Sequence, residues 1–323
     1  EMHQVPVVDI SVIIKAGASA DPIGKFGTAS YTAAMLDEGA GSRTALELAE
    51  AIDSLGATLT TSSTFDYSAI RLHTLTSKLE AALQLLADVA IRPTFPASDM
   101  ERLRAERLTG FVQLRDNPSA LATAAFNRLL FGATHRYGTG AGGTEAATKA
   151  MSVADLREFH AAFYHPGNAH VLVVGDVSAA AVLPRLEASL GGWQRRATSS
   201  APAALAARAP SARRIVLVDK PGAPQSQIRI GTVGADRRRT DYHAIVVANT
   251  LLGGSFSSRL NMNLREDKGY SYGASSAFQM RAAAGPFVAA AGVQTDKTVE
   301  SLVPSAAAVS SSRRRATSAR RSG

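Results

Sequence analysis

The sequence predicts an α+β fold of two homologous domains, each a mainly antiparallel sheet packed with helices, the second apparently truncated. Three observations carry this. Short apolar runs are joined by turns too short for parallel crossovers, so neighbouring strands pair as hairpins. Groups of strands are followed by groups of helices instead of alternating with them one for one. The chain also holds a worn internal duplication. Gly56-Ala-Thr-Leu-Thr-Thr-Ser62-Ser63-Thr-Phe65 and Gly269-Tyr-Ser-Tyr-Gly-Ala-Ser275-Ser276-Ala-Phe278 agree at the Gly, both Ser and the Phe, at a constant offset of 213 residues.

In the first half a strand is expected over Val7–Lys15, then a turn from Gly17 to Pro22. Helices follow near 27–37 and 44–55, strands at 57–63 and 67–75, and a helix at 77–90. Arg92-Pro93 breaks the chain, since proline lacks an N–H and disfavours helix before it. Helices at 98–115 and 119–131 precede a glycine-rich loop, 132–145. A helix over 152–163 leads into Tyr164-His-Pro-Gly-Asn168 and a strand, His170–Val174, closing at Gly175-Asp176. A linker rich in Ala, Pro, Ser and Arg spans 194–212. The second half opens with strands at Arg214–Asp219 and Gln227–Val233. Asp241–Leu252 predicts a helix with Ala244, Val247, Ala248 and Leu251 on one stripe, ended by Gly253-Gly254. A second helix, Ser255–Lys268, stops at Gly269, and Tyr270–Phe278 predicts a strand. Alternation puts Tyr270, Tyr272 and Ala274 on one face and Ser271, Gly273 and Ser275 on the other. Thr76-Ser-Lys78 matches Thr295-Asp-Lys297 at an offset of 219, so the second half carries a six-residue insertion near Arg281–Pro286. The domains are therefore expected at 1–193 and 213–303, with a basic tail at 304–323.

Composition narrows the function. Hydrophobic residues make up 46% of the chain, enough for two cores, and charged residues 19%. The absence of cysteine excludes a disulfide framework and a thiolate zinc site, and fits a periplasm or a cytoplasm. No apolar run approaches a membrane span and no secretory leader is visible. The chain opens on Glu1 directly before a strand, so its true start is expected upstream. The net charge of +8 falls to +3 without Arg313, Arg314, Arg315, Arg320 and Arg321. Their segment has no aromatic and no apolar period, so it is expected to be disordered. An out-of-frame end from a GC-rich gene accounts for it as well as a binding arm does. A basic binding module using this tail is one function class, marked by salt-sensitive binding.

The duplication breaks where chemistry would enter. Carried back by 213 residues, Arg265 and Tyr272 land on Ile52 and Leu59. Two apolar positions have become a guanidinium and a phenol. Each also has a purely structural reading. An Arg in the last turn of a helix suits the negative end of the macrodipole, and a strand Tyr is commonly a half-buried aromatic.

Several segments together resemble the pitrilysin/insulinase/mitochondrial processing peptidase family of zinc peptidases. They are Gly27-Thr-Ala-Ser30-Tyr-Thr-Ala33-Ala34-Met-Leu-Asp-Glu-Gly39, His135-Arg-Tyr-Gly138, Tyr164-His-Pro-Gly-Asn168, Val174-Gly-Asp176, and Ser258-Arg-Leu260 through Tyr272. The resemblance covers residues 1 to about 303. Active members carry an inverted zinc motif, H-x-x-E-H, on the first long helix, with two His ligands and a Glu base. The matching positions here are Ser30, Ala33 and Ala34. The third ligand, a Glu on a later helix, would fall within Leu108–Val112, which holds no carboxylate. The chain is thus expected to hold no cofactor. Asp37 and Glu38 are expected at a solvated helix end. His160, His165 and His170 recur every five residues but fall on a helix, a turn and a strand, so they share no face. His73 belongs to a strand surface. Gly140-Ala-Gly142-Gly143 follows no strand, so it makes a poor phosphate loop.

In this family the half without zinc supplies an Arg and a Tyr seven residues apart, the spacing of Arg265 and Tyr272. The resemblance therefore implies the non-zinc half or subunit of a metallopeptidase, supplying Arg265 and Tyr272 to a composite site that hydrolyses peptides. Its implied partner is a zinc-bearing homologous subunit or fused half, and its substrate a peptide, with no nucleic acid and no membrane span involved. The alternative is a catalytically inert structural subunit, as in relatives within respiratory complexes.

Overall fold

The computed structural model describes residues 2–195 and 212–302. Expectations for the basic tail and most of the linker lie outside the described residues. In chain order the elements are β1 (Val7–Ile14), α1 (Thr28–Ala34), β2 (Gly39–Ala40), β3 (Arg43–Thr44), α2 (Ala45–Ser54), β4 (Thr58–Ser63), β5 (Ser68–Leu75), α3 (Leu79–Ile91), α4 (Ala97–Asp116) and α5 (Pro118–Phe131). Then follow α6 (Glu145–Ala150), α7 (Val153–Phe163), β6 (Ala169–Gly175), α8 (Ala179–Leu190), β7 (Gln225–Val233), α9 (Tyr242–Asn249), α10 (Arg259–Asn261), β8 (Ser271–Phe278) and β9 (Pro286–Gln294). They form two compact units. Among the described residues, one comprises 2–110 with 139–195, the other 111–138 with 212–302.

The first unit is built on an antiparallel sheet in the order β4-β5-β1-β6. β1 is its centre, with Val12 opposite Ile70 on one side and Val171 on the other. Val8, Ile10, Val12 and Ile14 are buried while Asp9 is exposed, the period of two that seats a strand on a core. α3 lays Leu79, Leu83, Leu86 and Ala90 into that core at helical spacing. α1 starts under a buried acid: Asp21 accepts the N–H groups of Gly27 (2.6 Å) and Ala29 (2.8 Å). Gly143 (φ +83) passes so close to this start that a Cβ there would sit 1.8 Å from the Phe26 carbonyl oxygen. That contact accounts for Gly143 in the 132–145 loop without a phosphate.

The second unit holds a three-stranded antiparallel sheet, β7-β9-β8. It repeats the first sheet's pairing: β7 stands to β9 as β1 to β5, and β8 to β9 as β4 to β5. Its core gathers Ile228, Leu252, Leu260, Leu264, Phe287 and Val293. Two expectations are corrected here. Residues 213–220 pair with no strand among the described residues, and Ile215 and Leu217 are 96% and 91% exposed. A ladder needs a partner, and alternation alone does not supply one. The second helix begins at Arg259, not Ser255, and widens into π-helical turns over Met262–Asp267. Residues 111–138 pack with this unit. Arg229 donates to Ser119 Oγ (2.7 Å), Phe126 packs on Gly231, and Arg281 lies 4.4 Å over the Tyr137 ring. Arg281 comes from the β8–β9 connection, where the inserted residues of the repeat lie.

Candidate functional site

Arg265 and Tyr272 stand on two elements of the second unit joined by a sharp helix end. Gly269 takes φ +63, a conformation that costs any side-chain-bearing residue more than glycine. Its N–H donates to the Arg265 carbonyl (3.0 Å), and that of Tyr270 to the Leu264 carbonyl (2.9 Å). Leu260 and Leu264 point into the core, which turns Arg265 outward. The guanidinium lies 4.7 Å over the Phe256 ring and 3.2 Å from Glu266 Oε1, with 41% of the side chain exposed.

Tyr272 is placed by a β-bulge. The pairing steps from Ser271↔Val293 to Ala274↔Ala291, so Tyr272 and Gly273 together oppose Gly292. Ser271 Oγ fills the kink, 2.7 Å from the Gly273 carbonyl and 2.8 Å from that of Gly292, and accepts the Gly273 N–H (3.0 Å). Asn261 clamps the far side: its Oδ1 accepts the Ala274 N–H (3.1 Å) and its Nδ2 donates to the Phe256 carbonyl (2.7 Å). Ser271, Ala274 and Ser276 turn inward, while Tyr272, Gly273 and Ser275 turn out. The expected alternation, with Tyr272 beside Ala274, is therefore corrected by one inserted residue. So is the half-buried reading of Tyr272. The residue is 88% exposed and has no hydrogen bond or ring contact among the described residues. Its repeat counterpart, Leu59, packs against the first unit's core, as does Ile52, the counterpart of Arg265. Arg265 and Tyr272 make no hydrogen bond or ring contact with each other.

In the first unit, Ser30, Ala33 and Ala34 lie on α1, with Ala33 buried. None carries a metal-binding group. The 108–112 window falls on α4 without a carboxylate. A different cation reaches α1 instead. Arg107 on α4 donates to Ser30 Oγ (3.0 Å) and lays its guanidinium 4.5 Å over the Tyr31 ring. Ser30 is thus held by a guanidinium, and the residues present do not fit zinc. Among the described residues no group of three or more His, Cys, Asp or Glu could hold a metal ion. Glu38 pairs with Arg102, and burial raises the pKa of Asp37, so this acidic pair is less solvated than a free helix end. His160 bonds the Ala90 carbonyl (3.0 Å) and stacks on Tyr164; His165 is fully buried; His170 is exposed on β6. His73 pairs with Asp9 on the sheet surface. Nothing in the spacing of the sequence singles out Arg107 or Asn261, because their roles come from which helix and strand they meet.

Two α+β units with the repeated pairing scheme, an exposed Arg and Tyr, and a metal position without ligands describe a peptidase-like fold whose zinc site is degenerate. Residues 1–135 match the family model "Insulinase (Peptidase family M16)" and residues 150–309 match "Peptidase M16 inactive domain". The chain belongs to peptidase family M16, as a member without the zinc motif. An uncharacterized zinc protease of Mycobacterium leprae is 29% identical over 259 residues, 80% of this chain and 58% of that protein. YmxG of Bacillus subtilis, also called an uncharacterized zinc protease, is 24% identical over 246 residues, 76% of this chain and 58% of that protein. The chain thus spans under two thirds of these curated relatives. A crystal structure of a peptidase M16 inactive domain from Pseudomonas fluorescens superposes with a TM-score of 0.89 at 28% identity, over 96% of this chain and 74% of that one. The periplasmic protease PqqL of Escherichia coli shares the fold, with a TM-score of 0.71 at 15% identity, over 91% of this chain and 33% of PqqL. Among the described residues no helix is long and apolar enough to cross a membrane.

Proposed function

We propose that this chain is the non-zinc half of an M16 metallopeptidase and lends Arg265 and Tyr272 to a composite active site completed by a zinc-bearing homologous partner, separate or fused. The observation that carries this reading is the outward phenol of Tyr272. A bulge, a serine and an asparagine side chain hold it where the internal repeat has a partly buried leucine packed against the core. An exposed aromatic with no partner gains nothing from packing, so its use lies in what it meets. A phenol donates one hydrogen bond and a guanidinium two parallel ones, the donor set that holds a peptide backbone and stabilises an oxyanion. The metal would belong to the partner and would polarise the scissile carbonyl. Arg265 and Tyr272 would orient the peptide and accept the developing charge. The zinc-protease names of the relatives and the inactive-domain match support a proteolytic setting with the metal elsewhere. The test combines the chain with a zinc-bearing homologue and measures peptide turnover for the unmodified protein and for Tyr272→Phe. Normal assembly with unchanged turnover overturns the proposal and leaves a structural subunit.

A further inference from the structure

We infer that Arg107, with Ser30 and the face of Tyr31, forms an anion site in the first unit that takes a single peptide carboxylate. Tyr31 is 1% exposed and its hydroxyl donates to the Met100 carbonyl, so its ring is a fixed platform. The Arg107 guanidinium rests on that platform, half-buried, with one N–H spent on Ser30 Oγ. A guanidinium carries five N–H donors, so most of its capacity remains.

The charge around it is unbalanced. Its neighbours on α4 each have an acid: Arg102 pairs with Glu38 and Glu106, Arg104 with Glu101. Lys25, just before α1, pairs with Asp155. Arg107 has no acid within ion-pair distance among the described residues. The carboxylate whose charge it feels, Asp21, spends its two oxygens on the N–H groups of Gly27 and Ala29. Burial accordingly lowers the Arg107 pKa. A partly desolvated, unpaired guanidinium is costly, and an arriving carboxylate offsets that cost with charge-assisted hydrogen bonds. One negative charge fits. With Asp21 close by, a phosphate dianion would be left partly uncompensated. Planar bidentate pairing also suits a carboxylate. The carboxylate can come from a peptide C-terminus or from an Asp or Glu side chain.

The test is calorimetric titration of the folded protein with three probes: acetyl-Ala-Ala-Ala as the free acid, the same peptide as its C-terminal amide, and acetyl-Ala-Glu-Ala-amide. We expect at least one carboxylate-bearing probe to bind roughly tenfold or more tightly than the uncharged amide. The acid that wins identifies the source. Arg107→Gln, checked by thermal melting to be folded, should erase the preference, and Arg107→Lys should retain part of it. Equal affinity for all three probes on the unmodified protein overturns the inference. So does a carboxylate preference that survives Arg107→Gln. Neither result bears on Arg265 and Tyr272, which belong to the other unit.

Discussion

The side-chain oxygen of Asn261 accepts the backbone N–H of Ala274 at 3.1 Å, just past the bulge that carries Tyr272. Asn261 is 4% exposed, and its amide nitrogen also holds the Phe256 carbonyl, whose ring lies under Arg265. One buried amide therefore fixes both the Arg-bearing and the Tyr-bearing segments. Asn261→Ala should remove two hydrogen bonds and orphan a buried N–H, costing about 1–3 kcal/mol. Denaturant unfolding of the second unit should shift to lower midpoint, with hydrogen exchange faster at Ala274. An unshifted midpoint would show the clamp to be idle.

In the composite site proposed above, Tyr272→Phe should remove a hydroxyl and no packing within this chain, where the ring is solvent-exposed. Loss of one oxyanion-type donor typically lowers turnover on the order of a hundredfold or more. Arg265→Ala should weaken substrate hold as well, raising KM while lowering kcat, since a bidentate contact is lost. Subunit assembly, followed by size-exclusion chromatography, should be unchanged for both.

The chain by itself should bind no stoichiometric zinc and cleave no peptide. Ser30, Ala33 and Ala34 supply neither ligand nor base, and Arg107 brings a positive charge to the same helix. Elemental analysis after mild dialysis checks this. One zinc per chain together with chelator-sensitive hydrolysis would overturn it.

Alkaline pH should destabilise the first unit through Tyr164. Burial pushes its phenol up to about 12, against about 10 in the unfolded chain. As pH rises through 10 the unfolded form loses its proton first, so stability is lost progressively between the two values. The full loss, complete above the folded pKa, is roughly 3 kcal/mol. Tyr164→Phe should flatten that decline while leaving stability near neutrality little changed. Trp193, the single tryptophan, bonds the Tyr164 carbonyl at 3.2 Å and offers a local fluorescence probe of unfolding at pH 8, 10 and 11.

By itself the sequence determined the α+β class, most of the elements, the internal repeat and the positions where the repeat loses its apolar residues. Those features are local. Period-two burial in β1, helical spacing in α3 and the glycine stops each depend on a few neighbours in the chain. Through the family resemblance it also placed Ser30, Ala33 and Ala34 where relatives carry zinc ligands and base, since side-chain chemistry is readable without coordinates. Only the tertiary structure decided which way Tyr272 faces, because a bulge of one residue reverses alternation and depends on Ser271 and Asn261 meeting the strand from elsewhere. It decided that 214–219 forms no ladder, for want of a partner among the described residues, and that 111–138 packs with the second unit through Arg229, Phe126 and Tyr137. It alone brought Arg107 to Ser30, 77 residues away in the chain. Such contacts join residues far apart in sequence, and no spacing rule encodes them.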